Sequence, residues 1–468
     1  MAMTIEQQPA YKIGPAGTDW IFTLSSTNTS GNYKYKFIAD LYINKGTINT
    51  FKIRLKFSPN DEEVGIINIS DILQDYVNPD KIAHYGASII SEYKGTDASD
   101  SNPFPIHLID KLSLSTNSTY RITVKFGEEY STTQYDSPSV NPNQVLYSDA
   151  LFYNAVSYNN EQVVVSGDYG INILDWTNNR YLVDGTTGTM LTNAPTDYQY
   201  IGDDEYATLA HLNGYLGGPT AEAEKYRVRF YDSSGATLST ETVSFTAANG
   251  GYNGSSDASY SNSKYNIQYI GVGPANIKNW STVPSTWSYY EVVLLDGSSV
   301  EMSKTYTYKR RDADCKGFEK IRLTWLNKYG VWDYYTFTKK SIKTTKINRN
   351  YYSSIKGDWN STTFTKHGGD RGRGVITTKA SEAMTINSDW ITTDEEAAWL
   401  EELFISPEVY ILGDYLTHGP GGIAPYGKFM NPVVITNNEY QRYTRVNDKV
   451  SQYTIDLEYS IDKKIQRA

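Results

Sequence analysis

Three places in the chain are dense enough in oxygen or glycine to invite a chemical reading. Asp203-Asp204-Glu205 sets three carboxylates in a row, material for a metal site or for glycoside hydrolysis, where two acids flank the scissile bond. Asp312-Ala313-Asp314-Cys315-Lys316-Gly317 has the Asp-x-Asp opening and the glycine of a calcium loop. Ile270-Gly271-Val272-Gly273-Pro274-Ala275-Asn276 follows a strand-like run, the context in which a glycine turn cradles a pyrophosphate.

Each pattern breaks where its chemistry is most demanding. In the calcium-like loop Lys316 replaces an oxygen ligand, and Leu323 stands where the bidentate glutamate belongs. In the glycine run the third glycine is Asn276, and Pro274 restricts the turn, so a loop is expected. Gly369-Asp370-Arg371-Gly372-Arg373-Gly374 leads into the strand-like Val375-Ile376-Thr377, with no helix N-terminus to receive a phosphate. Nothing near the acidic triplet marks a second partner, and such triplets are mostly solvated turns. The single cysteine, Cys315, excludes a disulfide framework and a CxxC metal site, and His84, His107, His211, His367 and His418 have no zinc spacing. No Gly-x-Ser-x-Gly elbow occurs. The expectation is a non-enzymatic protein with no catalytic residues, no metal and no cofactor.

Composition narrows the class further. The chain has 468 residues, too many for one core, and a net charge of -10, which argues against direct nucleic-acid binding because that needs a basic stripe. No apolar run approaches the ~20 residues of a membrane-spanning helix. The opening Met1 to Pro9 has no basic segment followed by an apolar one, which predicts folding in a cytoplasm. Tyrosine is the departure from average, at 41 residues. Its large ring and polar tip suit subunit contacts, and they equally suit the pleat of a half-buried strand.

The elements that must carry these residues are mainly β. Tyr33, Tyr35 and Phe37 alternate with Lys34 and Lys36, and Phe51, Ile53, Leu55 and Phe57 alternate with Lys52, Arg54 and Lys56. The spacing predicts a hairpin with one buried and one cationic face, turning at Asn44-Lys45-Gly46. Ser70 is a candidate N-cap for a short helix from Asp71 to Val77, stopped by Pro79. A strand is expected from Tyr120 to Phe126. Hairpins are expected from Tyr226 to Phe230 through Asp232-Ser233-Ser234-Gly235 to Val243 and Phe245, and from Tyr289 to Leu295 through Asp296-Gly297 to Glu301–Tyr308. The low-complexity stretch from Ala247 to Ser263 reads as a long loop or linker. Thr393 with Glu396 forms a capping box ahead of an apolar stripe of Trp399, Leu400, Leu403 and Phe404, so a helix is predicted over 394–404, ended by Ser406-Pro407. Tyr453, Ile455, Leu457 and Tyr459 give a closing strand. No fixed-period repeat occurs, which disfavours a solenoid or a propeller. The expected architecture is a chain of β-sandwich modules, at 1–145, 146–250 and 251–345, followed by a β-rich terminal domain at 346–468 that carries the one helix.

One segment is more specific. From Cys315 to Phe337, Ile321, Leu323 and Trp325 alternate up to the turn Asn327-Lys328-Tyr329-Gly330, where Gly330 can take positive φ, and Trp332, Tyr334 and Tyr335 open the returning strand. This segment resembles tail-region proteins of tailed bacteriophages, especially those of Bacteroidetes-type hosts. The run from Trp390 to Tyr410 and the later Asn431-Pro432-Val433-Val434-Ile435-Thr436 resemble the closing domain of the same proteins. The resemblance covers roughly residues 260 to 468 and leaves 1–250 unmatched.

The resemblance implies a virion subunit of the tail, baseplate or head-tail connector, assembled in the host cytoplasm, building a ring or attaching fibres. Its partners would be other copies of itself and other virion proteins, without membrane insertion. Trp325, Tyr329, Trp332 and Tyr335 are the candidate interface or packing aromatics, core packing being the plainer role for them. The alternative is a receptor- or carbohydrate-binding tail protein facing a host surface glycan, for which exposed coplanar aromatics are the mark. A glycan-cleaving tailspike would need two acids ~5 to 10 Å apart in a cleft.

Overall fold

A computed structural model describes residues 3–10, 12–45, 50–83, 104–115, 117–156, 162–165, 167–171, 188–212, 223–246, 266–311, 318–370, 372–413, 430–437, 439–441 and 451–461. The fold is mainly β, with strands gathered into several sheets and few short helices among the described residues. No described helix is long and apolar enough to cross a membrane. The chain divides into two compact units, one built on Met1–Asp312 with Leu326–Asp333, the other on Ala313–Trp325, Tyr334–His418 and Gly427–Ala468.

The first unit contains two sheet-on-sheet packings. In one, a three-stranded sheet of Met3–Gln7, Ile21–Ser26 and Gly65–Asn68 faces a five-stranded sheet that includes Tyr33–Asn44, Phe51–Phe57, Thr119–Ser131 and Ser139–Val156. Period-two alternation supplies the core between them, with Phe22 on one sheet 5.1 Å from Phe126 and 4.9 Å from Tyr147 on the other. The hairpin of Tyr33–Asn44 and Phe51–Phe57 forms as expected. Its apolar face is buried on the inner strand at Phe37, Leu41 and Ile43, while Tyr33, Phe51 and Ile53 are exposed. The second strand is the sheet edge, so it has neighbours on one side only.

The buried Glu128 of this sandwich is held by four donors. Glu128 accepts from Ser26 Oγ and Tyr35 Oη at 2.8 Å, Asn28 Nδ2 at 2.7 Å and Gln144 Nε2 at 2.8 Å. Burial pushes the Glu128 carboxyl upward, but these four donors outweigh it and hold it below its ordinary range. The short helix starts one residue earlier than the sequence suggests, at Ser70–Gln74, with Ile69 in the N-cap position. The cap comes instead from Asn68, whose Oδ1 accepts from the Ser70 and Trp20 amides at 3.0 and 3.1 Å.

The second packing sets Thr208–Leu212, Ile267–Gly271 and Leu112–Leu114 against a sheet holding Lys225–Tyr231, Thr237–Ser244, Tyr289–Leu295 and Tyr306–Arg310. Tyr290 Oη donates to the Val272 carbonyl at 2.8 Å, and His211 stacks on Phe245 with centroids 5.3 Å apart. His211 is completely buried, and among the described residues neither ring nitrogen has a hydrogen-bond partner. Burial lowers its pKa to about 3, so the ring is neutral near pH 7. These sheets recruit strands from either side of residues 145/146 and 250/251, where the sequence reading placed module boundaries, because pairing is decided by edge complementarity rather than by chain proximity.

A seven-stranded sheet, most of whose residues belong to the second unit, includes Ile321–Leu326, Trp332–Phe337, Val409–Leu412, Met430–Ile435, Thr454–Tyr459, Arg373–Asn387 and Ile342–Ser353. The helix Asp394–Ile405 forms as predicted. Thr393 Oγ1 accepts from the Glu396 amide at 3.2 Å, and Trp399, Leu400 and Leu403 are buried. The stretch from Ala247 to Ser263 and the loop Asp312 to Gly317 lie outside the described residues.

Candidate functional site: an exposed basic arm

The site begins with a mismatch of strand lengths. The strand Arg373–Asn387 has fifteen residues, yet it pairs with Thr454–Tyr459 only over Ala383–Asn387. Over Arg373–Glu382 its one described neighbour is Ile342–Ser353, the last strand of the sheet. The two therefore continue as a two-stranded ribbon about 30 Å long at ~3.3 Å per residue. Both faces of Ile342–Ser353 are exposed along its whole length.

Register assigns residues to faces, since directly paired residues lie on the same side. Tyr351 opposes Val375 and Arg349 opposes Thr378, so Ile347, Arg349, Tyr351 and Val375 share one face. That face is continuous with Met384 and Ile386, which are buried at the base of the ribbon. The apolar pattern of a core strand thus runs on past the end of the core. Arg373 lies over the Tyr351 ring, 3.9 Å from its centroid, so the exposed aromatic also carries a cation.

The tip is folded on itself. The Asp358 amide donates to the Thr365 carbonyl at 2.8 Å, and Trp359 Nε1 donates to the Lys356 carbonyl at 3.1 Å. Gly357 sits at φ +97°, where a side chain is strained. Trp359 and Phe364 pack against each other at 5.1 Å with planes inclined by 53°. Trp359 is 67% exposed and Ile355 80%.

The arm is also basic, as is the hairpin from Tyr33 to Phe57. Ile342–Asn387 holds eight Lys and Arg against three Asp and Glu, a net of +5 in a chain of net -10. This local reversal, with apolar residues between the cations, is the signal by which sequence reading could have found the arm. The segment carries no motif, and its Gly369–Gly374 end reads in sequence as a loop.

The four candidate aromatics lie elsewhere. Trp325 is 0% exposed, Trp332 and Tyr329 2%, and Tyr335 is half-buried. Trp325 and Tyr335 pack on Trp399 of the helix, 5.3 and 6.0 Å away. Tyr329 Oη donates to Asn193 Oδ1 at 2.8 Å, and Trp332 Nε1 donates to the Asp80 carbonyl at 2.7 Å. Gly330 does take positive φ, +76°, and a Cβ there would sit 1.4 Å from the Asn154 carbonyl oxygen. These aromatics pack inside the chain.

The chemical motifs resolve as structural joints. Gly271 and Gly273 allow backbones to touch, since added Cβ atoms would lie 2.7 Å from the Ile109 and Asp110 carbonyl oxygens and 2.5 Å from Ala207 N and the Glu205 carbonyl oxygen. The expected loop contains one helical turn, Pro274–Ile277, because Pro274 suits the first helical position. Asn276 is buried within it, donating to the His107 and Ile109 carbonyls at 2.9 and 2.7 Å and accepting from the Ala207 amide at 2.9 Å. In the acidic triplet Asp203 pairs with Arg310 and Glu205 with Arg311, so two of its three carboxylates are neutralised by arginine. Among the described residues no group of His, Cys, Asp and Glu is placed to hold a metal.

No family model and no curated protein matches this sequence. Solved structures give distant likenesses. Alpha-2-macroglobulin of E. coli is 8% identical at a TM-score of 0.19, over 82% of this chain and 22% of its own. Invasin, a bacterial integrin-binding protein, is 10% identical at 0.18, over 83% of this chain and 56% of its own. Salmonella alpha-2-macroglobulin is 7% identical at 0.17, over 97% of this chain and 22% of its own. This chain therefore spans a minor part of the macroglobulins and about half of invasin.

Proposed function

We propose that this chain is a non-enzymatic structural subunit of a tailed-phage virion, in the tail, baseplate or connector, that works through protein-protein contacts. The observation that carries the contact role is the arm. A two-stranded ribbon is marginally stable in water, and this one holds Ile347, Tyr351, Val375, Ile355 and Trp359 against solvent. A protein surface laid on those residues removes their apolar area from water, at about 25 cal/mol per Å². Cations flanking an aromatic centre give such a contact register and electrostatic steering. The virion setting rests on the resemblance of Cys315 to Phe337 and of the closing segments.

Mass spectrometry and imaging of purified phage particles from a host culture expressing the chain test that setting. A fixed stoichiometry in intact particles, with density in the tail region, supports the proposal; absence from washed particles refutes it. The competing reading is glycan recognition, and the exposed Trp359 is what favours it. The 53° inclination of Trp359 to Phe364 weighs the other way, since a flat sugar face stacks best on a coplanar platform.

A further inference from the structure

We infer that the partner of the arm is a second copy of this chain, docked on an acidic sheet edge that the first unit exposes; this rests on the contact role proposed above and names its occupant. The arm needs a surface that is acidic, partly apolar and open. The whole chain is -10 while the arm is +5, so the residues outside it carry -15, and a second copy is the partner whose charge is known to be complementary.

One of the chain's acidic stretches lies along a sheet edge of the first unit. From Phe57 to Asp80 there are six Asp and Glu and no Lys or Arg. Asp61 and Glu62 are exposed in the turn that precedes the strand Gly65–Asn68, and Asp71 and Asp75 are exposed on the helix that follows it. Gly65–Asn68 is itself a sheet edge, paired among the described residues with Ile21–Ser26 alone, and its Ile66 is 57% exposed. An apolar side chain on an open edge between acidic flanks is the complement of Ile347 between Lys346 and Arg349 on the open edge of the arm. Among the described residues, main-chain groups at both edges have no sheet partner on their outer side, so strand-to-strand contact is geometrically open as well.

The contact is head-to-tail, since arm and acidic edge are different surfaces of one chain. Repeated from copy to copy it closes into a ring or grows as a filament, depending on the rotation per step.

Charge reversal tests this on the full-length chain by sedimentation velocity at low salt. The wild type should associate with rising concentration, and added salt should weaken it by screening. Lys346→Glu with Arg349→Glu should weaken association at least ~100-fold, because like charges would then face each other. Asp61→Lys with Glu62→Lys should do the same. All four positions are exposed, so thermal unfolding midpoints should stay at the wild-type value.

Mixing the two variants is the decisive arm. Each reversed arm then meets a reversed edge, each native arm meets a native edge, and association should return. A wild type that stays monomeric throughout, a reversed arm that associates normally, or a mixture that fails to recover would each overturn the inference. If the chain is nevertheless found in virions, the partner is another protein and the contact role stands; absence from virions removes the wider proposal instead.

Discussion

The chain contains two aromatic hairpins a few residues apart in sequence, and they have opposite fates. The first, Ile321–Leu326 with Trp332–Phe337, buries its tryptophans and closes its turn against Asn154 and Asn193. The second, Ile342–Ser353 with Arg373–Asn387, leaves Tyr351, Trp359 and Phe364 in solvent. The same side chains therefore do two jobs, and neighbours decide which. The first hairpin forms one end of the seven-stranded sheet, and its Trp325 and Tyr335 pack on Trp399 of the helix. The second leaves the sheet after five paired residues and, among the described residues, pairs only with itself.

The comparison can be broken at several strengths. The largest effect is expected at Gly330, where alanine would need a strained φ and would drive Cβ into the Asn154 carbonyl. Gly330→Ala should cost on the order of 4 kcal/mol in urea unfolding, among the largest single-residue effects. A loss under about 1 kcal/mol would mean that the turn is not held as described. Trp325→Ala comes next. It removes a fully buried ring packed on Trp399 and should cost about 3 kcal/mol by the same measurement.

Acid probes the core of the first unit through His211. His211 titrates near 6.5 when unfolded and at about 3 when buried, so the unfolded chain binds the extra proton between those values. Its contribution is therefore present above pH 6.5 and is lost as pH falls, by about 1.4 kcal/mol per unit, or roughly 3 kcal/mol at pH 4. His211→Phe, which keeps a ring beside Phe245, should flatten the stability-pH curve over that range. An unchanged slope would place the titration elsewhere. The arm-reversed chain should follow the wild-type curve.

The smallest effect is expected at Trp359. Trp359→Ala should change stability by less than about 0.5 kcal/mol, since the ring is mostly in water. A large loss there would erase the distinction between the hairpins.

Much of the fold was readable in advance where pattern and burial agree. The helix after Thr393, the hairpins at Tyr226 and Tyr289, and the turn at Gly330 follow from capping, alternation and positive φ, which are local properties. The misreadings occurred where a neighbour intervened. Phe51 and Ile53 alternate like core residues and are exposed, because their strand is an edge. Ser70 has the chemistry of a cap, and Asn68 already fills that role from the end of a strand. The hairpin from Ile321 to Phe337 forms where alternation and Gly330 put it, with its turn and tryptophans buried.

What sequence alone determined about this protein is its β character, its one long capped helix and the weakness of each catalytic motif. Those depend on period, turn chemistry and the presence of required ligands, all of which are written within a few residues. Only the tertiary structure decided which of two tyrosine- and tryptophan-rich hairpins faces water. Exposure is a property of what lies on the other side of a strand, and here the described pairing with Thr454–Tyr459 stops at Ala383 while the strand itself continues to Arg373.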